Sequence, residues 1–190
     1  MRSAKIIRVS PQATASGHTR AAVAGDDLIV RKCREARENP KGREVHRFHA
    51  SDDDPLQRMI NAIAPGSYVR PHRHVTPPKA ESFVLLRGAL GLVLFDEAGN
   101  ASEKDFILLD RERGGYLADI APGVWHAIFA LAPETAIFEA KAGPYLPDAD
   151  KDFAAFAPAE GAPQAAAYLM ALEDRFRAIW GLAPRAWGVS

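Results

Sequence analysis

Between Gln57 and Pro144 the chain is cut into short apolar runs by closely spaced turn signals. Arg58–Ala64 ends at Pro65-Gly66, Glu81–Arg87 at Gly88, and Ala89–Asp96 at Glu97-Ala-Gly-Asn100. Asp105–Asp110, Tyr116–Ile120, Val124–Leu131 and Thr135–Lys141 follow, each closed by a Gly or Pro cluster. No helix-length pattern alternates with these runs, so a parallel sheet is excluded. Short strands at this spacing predict an antiparallel β-sandwich or barrel.

The flanks carry the helical signals. Asp26 and Asp27 can cap a helix running to about Asn39, with Leu28, Ile29, Cys33 and Ala36 as a narrow apolar stripe. Cys33 is then a small core-facing residue and not a nucleophile. Gln164–Trp180 places Tyr168, Leu169, Leu172, Phe176, Ile179 and Trp180 at helical spacing before Gly181. That stripe is expected to dock on the sheets or on a second subunit. Lys5–Val9 reads as a short edge strand, and Pro11–Gly25, rich in Ala, Ser, Thr and Gly, as a mobile connection. The chain thus divides into an N-terminal leader and helix (1–42), a barrel (43–161) and a C-terminal helix (162–190).

The chemistry concentrates in Gly66-Ser-Tyr-Val-Arg-Pro-His-Arg-His74. Read as a strand, it puts Tyr68, Arg70, His72 and His74 on one face. Two neutral imidazoles so placed can grip one metal ion. Glu81, at the start of the next run, can bring a carboxylate to the same point, and His126 a third imidazole. His46 and His49, three apart, fall on opposite faces of a strand and are read as non-ligands. Asn61, of the same parity as Met59 and Ile63, is read as a satisfied polar residue between strands.

Gly66, His72, His74, Glu81 and Gly88 resemble the first motif of the cupin family, and Pro122, Gly123 and His126 its second. Two departures stand out. Six residues separate His74 from Glu81, where three or four are usual, and the proline of the second motif sits one place late. Arg58–Asn61, Pro65–His74, Glu81–Gly88, Lys151–Phe153 and Ala157–Gly161 are similar to the WbuC-type cupin-fold metalloproteins, a bacterial family associated with surface-polysaccharide gene clusters. The resemblance implies a cupin-type jelly-roll sandwich holding one divalent metal (Fe, Mn, Ni, Co or Zn) through His72, His74, Glu81 and His126. It also implies either an enzyme, such as an isomerase or oxygenase, acting on a sugar or carboxylate, or a non-catalytic metal-dependent ligand-binding or sensor protein.

Around that centre, strand parity nominates Arg70 to anchor an anionic group, with a rim salt bridge as the alternative. Tyr68 is nominated as a proton donor, with a buried packing tyrosine at the barrel mouth as the alternative. Glu139 is a base or an orienter of a histidine, or else the structural ion-pair partner of Lys141.

Composition narrows the partners. Lys plus Arg and Asp plus Glu balance at 24 each, so no net field draws the chain to nucleic acid or an anionic membrane. The single cysteine forbids an intrachain disulfide and fits a reducing compartment. No apolar run approaches the roughly 20 residues of a membrane helix, and Met1–Arg8 has no apolar run behind it. A cytoplasmic protein with a small-molecule ligand, in a homodimer, is the expectation.

Overall fold

The computed structural model describes residues 5–147 and 149–187. The first four residues of the leader and the last three of the C-terminal segment lie outside the described residues. Two β-sheets stack face to face, with one helix on the outside of each. The larger sheet contains β1 (Lys5–Ser10), β2 (Ala13–Gly17), β3 (Arg43–Arg47), β4 (Leu56–Ile63), β6 (Glu81–Arg87), β9 (Leu117–Ile120) and β11 (Thr135–Ala142). Their order is β1-β2-β3-β4-β11-β6-β9. The smaller sheet contains β5 (His72–Arg73), β7 (Ala89–Phe95), β8 (Phe106–Asp110), β10 (Trp125–Ala130) and β12 (Asp152–Phe153), in the order β12-β5-β10-β7-β8. All pairings are antiparallel except β2 with β3. The expected mainly β, two-sheet antiparallel sandwich, with a helix near each end of the chain, is the fold.

Alternation along the strands explains the layers. On β4, Ile60 and Ala62 point outward. There they meet Leu28, Ile29, Cys33 and Ala36 of α1 (Asp26–Glu38), together with Ala136 of β11. Their neighbours Gln57, Met59, Asn61 and Ile63 point between the sheets. Ile63, Phe83, Leu85, Leu92, Ile128 and Ile137 fill the space between the sheets. On the far side, Leu169 and Phe176 of α2 (Ala165–Trp180) pack on Val93, Phe106 and Phe129. Phe176 is fully buried, which stabilises the docked helix by about 2–3 kcal/mol. The C-terminal stripe therefore covers the smaller sheet of its own chain.

Two glycines, one in a turn and one inside β7, are dictated by space. Gly88 has φ +74° between β6 and β7, and a Cβ there would lie 2.7 Å from Thr135 Cα. Gly91 lies under the Phe129 ring, where a Cβ would fall 2.6 Å from Cε2.

Three local expectations change. The Gly66–His74 stretch pairs as a strand only at His72–Arg73, so the face shared by Tyr68, Arg70, His72 and His74 is not formed by a continuous strand. Part of the Pro11–Gly25 connection is strand β2, held by the parallel register Ala13↔Val45 and Ala15↔Arg47. The α1 N-cap is Gly25, whose carbonyl accepts from Leu28 and Ile29, and no side chain caps that end. Among the described residues no helix is long and apolar enough to cross a membrane.

Candidate metal centre

His126 sits on β10, the central strand of the smaller sheet, directly across from His72 on β5. His74 follows β5 by one residue, and Glu81 opens β6 in the facing sheet. The three imidazoles and the carboxylate are all at least nine-tenths buried. Each offers one ligand atom, and these four atoms lie within 4.8 Å of one another. The longer gap before Glu81 is taken up by the Thr76–Ala80 loop, which returns the chain to the cluster.

The hydrogen bonds behind the rings decide what the cluster can hold. His72 Nδ1 donates to Arg70 O at 3.0 Å, and His126 Nδ1 to Val124 O at 2.9 Å. His74 Nδ1 donates to Asp150 O at 2.5 Å. A carbonyl only accepts, so each Nδ1 carries the proton and each Nε2 a lone pair. His126 Nε2 stands 3.2 Å and His74 Nε2 3.5 Å from the same oxygen, Glu81 Oε2. Among the described residues His74 Nε2 is buried without a hydrogen-bond partner. Each ring, fixed through Nδ1, thus turns its Nε2 toward one carboxylate, an arrangement that suits a shared cation. Burial, with Lys151 and His126 adding to it, also holds the His72 pKa well below its usual value, which keeps that ring a neutral base. Three neutral nitrogens and one carboxylate oxygen suit a divalent first-row metal.

A buried ionic network flanks the cluster. Lys141 Nζ lies 2.8 Å from Asp150 Oδ2, 3.6 Å from Glu139 Oε1 and 3.7 Å from Glu81 Oε1. Lys79 Nζ holds the other Asp150 oxygen at 2.9 Å and the Pro144 carbonyl at 2.7 Å. Glu139 also accepts from Asn61 Nδ2. Burial first, then the neighbouring Glu81 charge, pushes its carboxyl up to about 8. Asn61 is therefore the polar partner of Glu139, which accounts for its place between strands.

The cluster opens into a cavity of about 560 Å³ between the sheets. Arg70 lines it. Its Nε and Nη2 donate to Ala154 O at 3.2 and 2.6 Å, and its guanidinium stands 5.7 Å from the Phe153 ring centre. Among the described residues Arg70 makes no ion pair with a carboxylate, so the rim salt bridge weighed above is absent. Tyr68 does not line the cavity. Its hydroxyl donates to Pro158 O at 2.8 Å, and its ring meets Tyr168 of α2 edge-on. The parity that paired it with the histidines fails because residues 66–71 are not a strand. Trp125 faces away from the cavity and packs with Ala154 and Ala157, as its position beside His126 requires.

Sequence reasoning missed Lys79, Asp150, Lys151 and His49. Lys151 stood inside a stretch similar to the WbuC-type proteins, which was the available signal for the segment beside the site. His46 does face away from the cavity, toward α1, but His49 lines it.

A family model described as a domain of unknown function (DUF6016) matches residues 25–107, less than half of the chain. No curated protein matches the sequence. Among solved structures, KdgF from Halomonas sp. is similar at 17% identity and TM-score 0.42, over 56% of this chain and 82% of that one. A cupin superfamily protein from Desulfitobacterium hafniense shows 14% identity and TM-score 0.41, over 53% and 76%. The oxalate decarboxylase of Lactobacillus farciminis, in a formate complex, shows 19% identity and TM-score 0.40 over 52% of this chain, which spans only 26% of that one. At these scores the likeness decides neither fold nor function, which rest on the strands and side chains above.

Proposed function

We propose that this chain is a metal-dependent enzyme of cupin type acting on a small, oxygen-rich anion such as a sugar acid or another carboxylate. The observation that carries this is the set of three imidazoles, each with Nδ1 held by a backbone carbonyl, and a carboxylate oxygen whose ligand atoms converge within 4.8 Å at the end of the cavity. When bound, the metal supplies Lewis-acid or redox chemistry according to its identity, with iron, manganese, nickel, cobalt and zinc all compatible with the donor set.

The chain's own groups do the rest. Arg70 keeps guanidinium donors beyond the two bound to Ala154 O, and among the described residues no carboxylate pairs with it, so it anchors an anionic group of the substrate. Glu139, with its carboxyl raised into the neutral range, holds a proton that it can deliver to or take from a ligand in the cavity. Lys141 and Lys79 fix Asp150, whose backbone carbonyl aims His74.

Membership of the WbuC-type cupins belongs to the same reading and is supported by the motif residues around His72, Glu81 and His126. So do the division at residues 42 and 161 and a reducing, cytoplasmic setting, supported by the one buried, unpaired Cys33. A homodimer joined along β1 completes it: β1 is the free edge of the larger sheet and exposes Ile6, Ile7 and Val9.

The test is elemental analysis of protein purified without added metal, followed by oxygen-uptake and turnover screens against sugar acids and short carboxylates. About one equivalent of a transition metal with turnover of at least one class supports the enzyme. Bound metal and bound ligand without turnover favour the sensor reading, and metal-free protein that takes up none on reconstitution ends both.

A further inference from the structure

The cavity has a second polar end that no ligand group of the metal cluster reaches. His49, just beyond β3, is 2% exposed and lines this end together with Gln57 and Arg47. Its tautomer follows from the backbone. Arg58 N–H donates to His49 Nδ1 at 3.0 Å and has no other partner, whereas Arg58 O, equally near, already accepts Phe48 N–H at 2.9 Å. Nδ1 is therefore the acceptor and Nε2 carries the proton. That Nε2–H is buried and among the described residues has no hydrogen-bond partner. An unanswered buried donor costs about 1–3 kcal/mol, so its retention in a residue that lines the cavity points to an acceptor that arrives there.

The strand register gives the distance. Glu81 on β6 pairs with Lys141 on β11, and Lys141 with Gln57 on β4. The β3–β4 register ends at Arg47↔Met59, with one further bond from Phe48 N–H to Arg58 O, and His49 follows it on the cavity side with Gln57. The row across the sheet from β6, which Glu81 opens, to β3, which His49 follows, is three strand spacings, or roughly 14 Å. A two-carbon acid bound beside the cluster cannot span that row, but an extended polyhydroxy acid the size of a six-carbon sugar acid can.

We propose that His49 is a binding residue for the distal end of an elongated, polyoxygenated acid, donating its Nε2–H to an oxygen while the proximal carboxylate lies at the metal cluster. The inference rests on the metal-dependent reading above and adds the length of the ligand. It is tested with the metal-reconstituted full chain by calorimetry, using the six-carbon diacid glucarate as the long probe and oxalate as the short one. His49→Phe keeps the bulk and removes the donor, and His49→Gln keeps a donor.

The expected result is a glucarate Kd raised about tenfold or more in His49→Phe, one hydrogen bond's worth, and partly restored in His49→Gln. Oxalate affinity and metal content should stay unchanged. Equal glucarate affinity in all three proteins, or no glucarate binding by metal-loaded wild type, overturns this inference and leaves the metal reading standing. Failure of the wild type to hold metal overturns both, and elemental analysis tells the two failures apart. Should either variant fail to fold, ¹⁵N-histidine spectra of the wild type serve instead. A His49 Nε2–H resonance that shifts with glucarate and not with oxalate supports the inference, and one indifferent to both refutes it.

Discussion

The two faces of the larger sheet both bury charge, and they treat it in opposite ways. On the outer face, under α1, Lys32 lies 2.5 Å from Glu35 and 3.4 Å from Glu44, and Arg8 closes on Glu44 at 2.7 Å. His46 meets Thr14 Oγ1 with one ring nitrogen and Ser16 Oγ with the other, both at 2.8 Å. Every polar atom of that imidazole is answered within the chain. On the inner side, in the space this sheet shares with the smaller one, His74 Nε2 and His49 Nε2 have no partner among the described residues, and two imidazole nitrogens crowd one oxygen of Glu81. Buried polar groups are ordinarily satisfied, so the outer cluster is a fastening that ties β1 and β2 to the sheet. The inner one is a set of positions waiting for something from outside.

That contrast can be broken most sharply at His74. His74→Ala should lose bound metal almost entirely on elemental analysis while His46→Ala keeps it; full occupancy in the former would dissolve the distinction. Next in size is Lys141→Met, which leaves Glu81 and Asp150 buried with a cation missing between them. A loss of about 3–5 kcal/mol in denaturant unfolding of metal-free protein is expected. A loss under about 1 kcal/mol would mean that the inner network carries no structural load.

The outer cluster sets an acid limit. Burial, then the Lys32 and Arg31 charges, hold the folded His46 pKa at about 4, against about 6.5 when unfolded. The unfolded chain binds the proton first as pH falls. The contribution of His46 is therefore whole above about pH 6.5 and is lost on the way down to about pH 4, up to about 3 kcal/mol in all. Unfolding curves across that window should be flatter for His46→Gln; an unaltered slope would locate the acid sensitivity elsewhere. The smallest effect concerns Cys33, on the sheet-facing side of α1. Burial first, then Glu134, pushes its thiol up to about 11. A disulfide reagent at neutral pH should label it only after denaturation, and rapid labelling of the folded protein would show the outer face to be open.

The same two faces explain how much was legible beforehand. Turn spacing from Gln57 to Pro144 was enough for a two-sheet fold, because each turn cluster marks where one short strand ends and the next begins. His72, His74, Glu81 and His126 could be singled out because their spacing is itself the signal. The residues that complete the cavity could not. Asp150, Lys151 and His49 reach it through a return segment and the end of a strand, neither of which leaves a periodic trace. Parity misplaced Tyr68 for the opposite reason, by extending a two-residue strand backward over an irregular stretch. It held for Asn61, Glu139 and Lys141, where β4 and β11 are continuous for eight residues each.

The carbonyls behind the imidazoles are of two kinds. His72 and His126 each lean on a residue two places earlier, so their aim is set as soon as their own short stretches take shape. His74 leans on a carbonyl 76 positions downstream, in a segment pinned by Lys79 and Lys141. Ion capture is thereby conditional on the last part of the barrel having come home. A cation bound tightly here would certify that the chain is assembled, and its early release on mild heating would mark the moment that segment lifts away.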